Sequence, residues 1–334
     1  MTDTALDVHD TVLLDLDGTV YRGGELIPRA RESIHAIHDR GSAVRYVTNN
    51  ASKPAREVAE RLTGLGLPAG ADEVATSAEA AAALLGQKLP AGARVLVVGS
   101  AALADELEGA GLAPVRTVAD EPVAVVQGHS PETAWPQLAE ACLALRAGAE
   151  WVACNEDLTL PTERGELPGN GAMVAALRVA TGLRPEVAGK PERPLLDRAT
   201  RSAGASAPLM VGDRMDTDIA GAVNAGMPSL LVLTGVDRPA DLLAAPPERR
   251  PTHVGNDLGA LSVAWADVEI REQAGWKVAE RGSSWELAAT SDDADPLAAL
   301  RALCAARWQR GSGAVEVRAA DRRAGTALAE LGLA

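Results

Sequence analysis

A chain of 334 residues, 47% hydrophobic and 23% charged, is long enough for two or three domains with well-buried cores, which excludes a disordered, collagenous or low-complexity protein. Its formal charge of −14, with no Phe and two Tyr, removes the positive field and the stacking surfaces that nucleic acid needs and repels anionic membranes. An anionic substrate therefore requires a local cationic site.

In chain order, residues 1–10 are acidic and lack the basic and apolar segments of a secretory signal. Short apolar runs predict strands at residues 11–15, 43–48, 94–99, 123–127, 150–155, 208–212 and 229–233. Ala-rich amphipathic segments predict helices at 28–40, 53–65, 194–203 and 216–225. This alternation is the pattern of an α/β fold, a parallel sheet covered by helices on both faces. The Pro-rich stretch 238–251 reads as a loop before a last core strand at His253 and Val254. Beyond it lie four of the six Trp residues, Trp265, Trp276, Trp285 and Trp308, a density that predicts a third packed unit. Its order is two strands around Trp276 and Trp285, a helix at 296–307, a strand at 314–318 and a helix at 321–331. No run of 18 apolar residues could span a bilayer, and Cys142, Cys154 and Cys304 lack the spacing of a zinc site or disulfide framework. A reducing cytoplasm is the expected location.

Asp15-Leu16-Asp17-Gly18-Thr19 directly follows the first apolar run. Residues two apart on a strand face the same way, so Asp15 and Asp17 project together at the carboxyl edge of the sheet, with Gly18 allowing the chain to turn. Two carboxylates so close need a cation or a shared proton; a hard divalent ion such as Mg²⁺ meets that need and leaves a carboxylate for nucleophilic attack. Gly212-Asp213-Arg214-Met215-Asp216-Thr217-Asp218 brings further carboxylates after another apolar strand. Asp213 is placed as a direct metal ligand and Asp218 as a group orienting from behind, although Asp216 and Asp218 also fit as caps of the next helix. Thr48, Asn49 and Asn50 end a strand with a hydroxyl and amide donors suited to a phosphoryl oxygen. Lys190 is one of four Lys among 32 basic residues, and a chain so biased to Arg is expected to keep Lys where a compact ammonium is needed, a surface position before a turn being the alternative. Gly169-Asn170-Gly171 lacks the third Gly and the preceding strand of a dinucleotide loop. His129 and His253 read as structural.

Together these four signals resemble the haloacid dehalogenase superfamily, matching its D-x-D-G-T, Thr/Ser, Lys and G-D-x-x-x-x-D motifs in order. The resemblance implies a Rossmann-like core in which Asp15 attacks phosphorus and Asp17 acts as acid and base. It also implies that Thr48, Asn49 and Lys190 hold the phosphoryl group, and that Asp15, Asp17 (through its carbonyl) and Asp213 bind Mg²⁺. Too few residues separate Asp15 from Thr48 for a lid, whereas the stretch from Thr48 to Lys190 has room for one, a C2-type cap. The expected domains are a core of residues 1–78 and 188–258, a cap of 79–187 and a small α+β module of 259–334. The cap segment Cys154-Asn155-Glu156-Asp157, with Pro161, Gly165 and Pro168-Gly169-Asn170-Gly171, is similar to the T-N-x-D and P-G-x-G stretch of glycerol-3-phosphate, phosphoglycolate and pyridoxal-phosphate phosphatases, with Cys154 in place of Thr. It makes Asn155 and Asp157 pocket candidates, or turn residues in the structural alternative, and Asn50, beside Thr48 and Asn49, is a further pocket candidate.

The tail resembles part of a GNAT acetyltransferase fold but lacks the acyl-CoA loop, since Trp308 stands at the Arg/Gln position and Gly311-Ser312-Gly313 precedes a strand. A structural or regulatory module, with an effector as its partner, is the expectation. The implied activity is Mg²⁺-dependent hydrolysis of a small phosphate ester, glycerol 3-phosphate first, with 2-phosphoglycolate and pyridoxal phosphate as alternatives. A phosphomutase and a ligand-sensing protein are the competing classes. The cap surface leaves homo-oligomer and monomer both open.

Overall fold

The computed structural model describes residues 3–162, 164–292 and 295–334. The chain divides into two compact units, Met1–Val44 with Ala203–Ala334, and Arg45–Ser202. In the first, parallel strands run in the order His253–Gly255, Ser229–Val232, Pro208–Gly212, Thr11–Leu14, with Leu14 opposite Val211 and Gly212 opposite Leu231. The Thr11–Leu14 and Ser229–Val232 strands are buried at every position, so continuous apolar runs rather than alternating ones specify them. The helix expected at 216–225 begins as a π-turn, Met215–Ile219, in which the Ile219 N–H reaches back to the Arg214 carbonyl at 3.2 Å. The α-helix proper is Ala220–Ala225.

The C-terminal strands Trp276–Arg281 and Ser284–Ala289 pair antiparallel, and Glu316–Ala319 joins the second in parallel. Helices Pro296–Trp308 and Arg322–Glu330 complete the expected order. The module packs against the parallel-sheet region. Leu297, Leu300 and Leu303 of its first helix share one buried cluster with Leu231, Leu242, Leu243 and Val254 of the parallel-sheet region. Arg301, 5% exposed, donates from Nε and Nη2 to the Val254 carbonyl at 3.2 and 3.1 Å, so a buried guanidinium is satisfied across the seam. The Trp308 indole N–H donates to the Leu242 carbonyl at 3.3 Å, and Arg250 lies over its ring at 5.1 Å.

His253 also packs on this side, stacked on Trp265 at 3.6 Å, with His9 edge-on to the same ring at 5.6 Å. Burial, with His9 adding to it, lowers the His253 pKa to about 4; burial also lowers that of His9. Because the unfolded imidazoles bind protons first, their contribution to stability is complete above about pH 6.5 and is lost as pH falls toward 4. The melting temperature is therefore expected to fall more steeply between pH 6.5 and 4.5 for the wild type than for His253→Phe, which keeps the stacked ring but cannot titrate. Parallel pH profiles for the two proteins in thermal melts would contradict this.

In the second unit, residues 46–48 pair in parallel with Val74–Thr76, setting Thr48 opposite Thr76. A separate five-stranded parallel sheet has the order Glu186–Val187, Glu150–Ala153, Ala124–Gln127, Arg94–Val98, Ala113–Val115. Helices Trp135–Arg146 and Asn170–Thr181 cover Leu96, Val98, Val125, Trp151 and Ala153 of that sheet. The hairpin Thr159–Thr162 with Gly165–Pro168 was not expected, because prolines at both 161 and 168 mask a strand pattern. Among the described residues no helix is long and apolar enough to cross a membrane.

Candidate active site

Adjacent parallel strands must end at the same edge, and this places the two acidic motifs together. The Asp15 N–H continues the ladder by donating to the Val211 carbonyl at 2.9 Å, while Asp213 follows the partner strand immediately after Gly212. Carboxylate oxygens of Asp15, Asp213 and Asp218 all lie within 4.8 Å of one another, and Asp213 and Asp218 are each 1% exposed. Gly18 turns the chain at φ +95°; a Cβ there would also stand 2.5 Å from Asp213 Oδ2. The Asp17 side chain is exposed at this turn and outside the three-carboxylate cluster.

Each carboxylate is oriented by neighbours. Asp213 accepts from the Thr19 hydroxyl at 3.3 Å and from the Val236 N–H at 3.0 Å. Asp218 Oδ2 accepts from the Arg214 N–H at 3.1 Å. The Arg214 guanidinium is drawn to Asp216, with bonds of 3.1 and 2.9 Å. Asp216 is thus spent on an exposed ion pair rather than on a helix cap. Three clustered carboxylates repel one another unless a cation is shared, and an all-oxygen set suits a hard divalent ion, so the residues present fit Mg²⁺.

In the second unit Lys190 is 2% exposed, and its Nζ donates to the Val47 carbonyl at 3.1 Å. The side chain of Asn49 brackets the Lys190 peptide: Oδ1 accepts the Lys190 N–H at 2.8 Å and Nδ2 donates to the Lys190 carbonyl at 2.9 Å. That Nδ2 also approaches Asp157 at 3.2 and 3.3 Å. Gly189 is required beside it, since a Cβ would stand 2.6 Å from Asn49 Oδ1. The sequence assigned Asn49 to phosphate; its amide is committed to holding Lys190 and Asp157. Thr48 ends its strand 6% exposed, with Oγ1 accepting from the Asn50 N–H at 3.1 Å. Asn50 Oδ1 accepts from the Ser52 N–H and hydroxyl at 2.8 and 2.7 Å, an Asx-turn.

Asn155, 4% exposed, donates to the Asn49 carbonyl at 2.7 Å and accepts the Asp157 N–H at 3.1 Å. Glycines 169 and 171 let this turn pack closely, because a Cβ at either would come within 2.2 Å of the Asp157 or Glu156 carbonyl. Buried Cys154 is a free thiol whose pKa burial pushes far up, so it packs as a small apolar group. Sequence reasoning missed Thr19 as a holder of Asp213, as well as the whole segment that contributes Val236; Thr19 was visible within the first motif, as the hydroxyl after Gly18.

A family model described as haloacid dehalogenase-like hydrolase matches residues 12–113, and a second HAD-like hydrolase model matches residues 187–261. A curated relative, the D-glycerol 3-phosphate phosphatase of Mycobacterium tuberculosis, is 47% identical over 331 residues, covering 96% of this chain and 93% of that protein. The chain belongs to the haloacid dehalogenase-like hydrolases. A solved structure of the glycerol phosphate phosphatase from the same organism, in complex with magnesium, superposes with a TM-score of 0.96 over the whole of both chains. The 5'-nucleotidase YutF of Bacillus subtilis is 39% identical, covering 74% of this chain and 94% of that protein. A model described as GCN5-related N-acetyltransferase like domain matches residues 273–333, so the C-terminal module is GNAT-like.

Proposed function

We propose that this hydrolase removes phosphate from glycerol 3-phosphate with Mg²⁺, by way of a phosphoryl group carried on Asp15. The observation that carries the reading is the cluster of Asp15, Asp213 and Asp218 at the ends of two adjacent strands. The substrate is supported by 47% identity, along nearly the full length, to an enzyme named for it.

In this reading a carboxylate oxygen of Asp15 forms a bond to phosphorus as the bond to the leaving oxygen breaks, and Asp17 delivers a proton to that oxygen. Asp17 then takes a proton from water, whose oxygen attacks phosphorus and releases Asp15 and inorganic phosphate. The exposure of Asp17 suits a group that must serve both an alcohol and a water. Thr48 and Lys190 bind the phosphoryl oxygens, and Asn49 keeps Lys190 in place as well as contributing its main-chain N–H. The carboxylates of Asp15 and Asp213 and the carbonyl of Asp17 hold Mg²⁺, with Asp218 orienting them; the ion neutralises charge between an anionic ester and an anionic nucleophile. Asn50, Asn155 and Asp157 are the pocket residues of this proposal, with Asn155 also accepting the Asp157 N–H.

The phosphatase core is assigned to residues 1–78 and 188–258, the cap to 79–187 and the GNAT-like module to 259–334. The protein acts in the cytoplasm, where three free cysteines stay reduced. An effector at the module and pairing of caps between two chains are further parts of this proposal.

Phosphate release should be fastest from glycerol 3-phosphate in a panel with 2-phosphoglycolate, pyridoxal phosphate and nucleoside 5'-monophosphates. EDTA should abolish it and added Mg²⁺ restore it. A faster rate on another ester would change the substrate and keep the chemistry, whereas a folded, Mg²⁺-bound protein that cleaves none of them would overturn the hydrolase reading in favour of a mutase or a sensor.

A further inference from the structure

We infer that the segment Thr234–Asp237 is a positioning clasp for the metal site, tied to the Gly18 turn and fixing the Asp213 carboxylate against its neighbours. The inference rests on the metal-binding reading of Asp15, Asp213 and Asp218. It adds four residues with no carboxylate in the cluster and no place in the recognised motifs.

The Ser229–Val232 strand lies beside Pro208–Gly212 in parallel, so its chain must leave the sheet at the same edge as Asp213. Four consecutive residues there each make a different contact. The Thr234 hydroxyl donates to the Gly18 carbonyl at 2.6 Å, tying the segment to the turn that follows Asp15 and Asp17. Gly235 lies so close to Asp213 that a Cβ added to it would be 1.6 Å from Oδ2 and 2.2 Å from Cγ. Its φ is not in the left-handed region, so space alone demands glycine. The Val236 N–H donates to Asp213 Oδ2 at 3.0 Å. The Asp237 carboxylate accepts the Met215 N–H, fastening the first residue of the π-turn that carries Asp218.

The segment therefore bonds to all three stretches that supply the cluster, by a hydroxyl, a main-chain N–H and a carboxylate, while its glycine supplies the room. Groups behind a metal's direct ligands set their orientation, and losing one costs about 10–100-fold in affinity.

The test is Mg²⁺ binding to the full-length protein by isothermal titration calorimetry, with kcat and KM for glycerol 3-phosphate measured across a Mg²⁺ series. Gly235→Ala and Thr234→Val are each expected to weaken Mg²⁺ binding by about tenfold or more. Saturating Mg²⁺ should recover most of kcat in Thr234→Val with KM for the ester unchanged. Asp237→Ala should weaken binding similarly, but Asp237→Asn should not, because the carboxamide oxygen still accepts the Met215 N–H. If Gly235→Ala does not fold, Thr234→Val and the Asp237 pair decide. Folded variants that bind Mg²⁺ as the wild type does would overturn the clasp; a wild type that binds no Mg²⁺ would overturn the underlying reading instead.

Discussion

Asp15→Asn is expected to lower phosphate release by roughly a thousandfold or more while leaving the protein folded. The carboxamide has nearly the shape of the carboxylate but is a far poorer nucleophile, so no covalent phosphoryl intermediate forms. The exchange also removes one charge from three carboxylates whose oxygens lie within 4.8 Å of one another. Without metal the variant should melt at a higher temperature than the wild type, because that repulsion is part of what unfolding relieves. With saturating Mg²⁺ the order should narrow or reverse, since the wild type gains more from the ion. Phosphate assays and melts with Mg²⁺ or EDTA measure both effects. A rate above a tenth of the wild type would take Asp15 out of the bond-forming step.

How much of this was legible depends on where the information resides. The Pro208–Gly212 strand was readable to the residue because an uninterrupted apolar run ends at Gly-Asp, and burial on both faces leaves such a run no other use. The acidic motifs were readable because carboxylates at strand ends are costly without a purpose. The bracket of Asn49 around Lys190 was not, since the two residues lie on separate segments and an Asn after a strand carries no mark of its distant partner. Nor was the clasp: a main-chain N–H and an absent Cβ act on Asp213, and Thr-Gly after a strand looks like any turn. The four late Trp residues signal a third packed unit but not what it packs against, and its helix shares a buried cluster with Leu231 and Leu242.

Deleting residues 259–334 is therefore expected to leave no folded, soluble phosphatase. The deletion strips Leu297, Leu300 and Leu303 from the cluster they share with Leu231, Leu242, Leu243 and Val254, and it removes Trp265 from His253. Each large apolar side chain returned to water costs about 1.5–3 kcal/mol, and four of them reach the 5–15 kcal/mol that holds a typical domain together. The Bacillus subtilis relative shows that the family fold does not need such a module in general, because its match to this chain already accounts for 94% of its length. In this chain the module's helix covers Leu231, Leu242, Leu243 and Val254. Leu300→Ala in the full chain is the graded form of the same test and should cost about 2–5 kcal/mol while leaving turnover at 25 °C close to normal. If instead the truncated protein purifies as a folded species with an unchanged melting temperature and full activity, the module is an appendage, and binding of an effector becomes the stronger account of why the chain carries it.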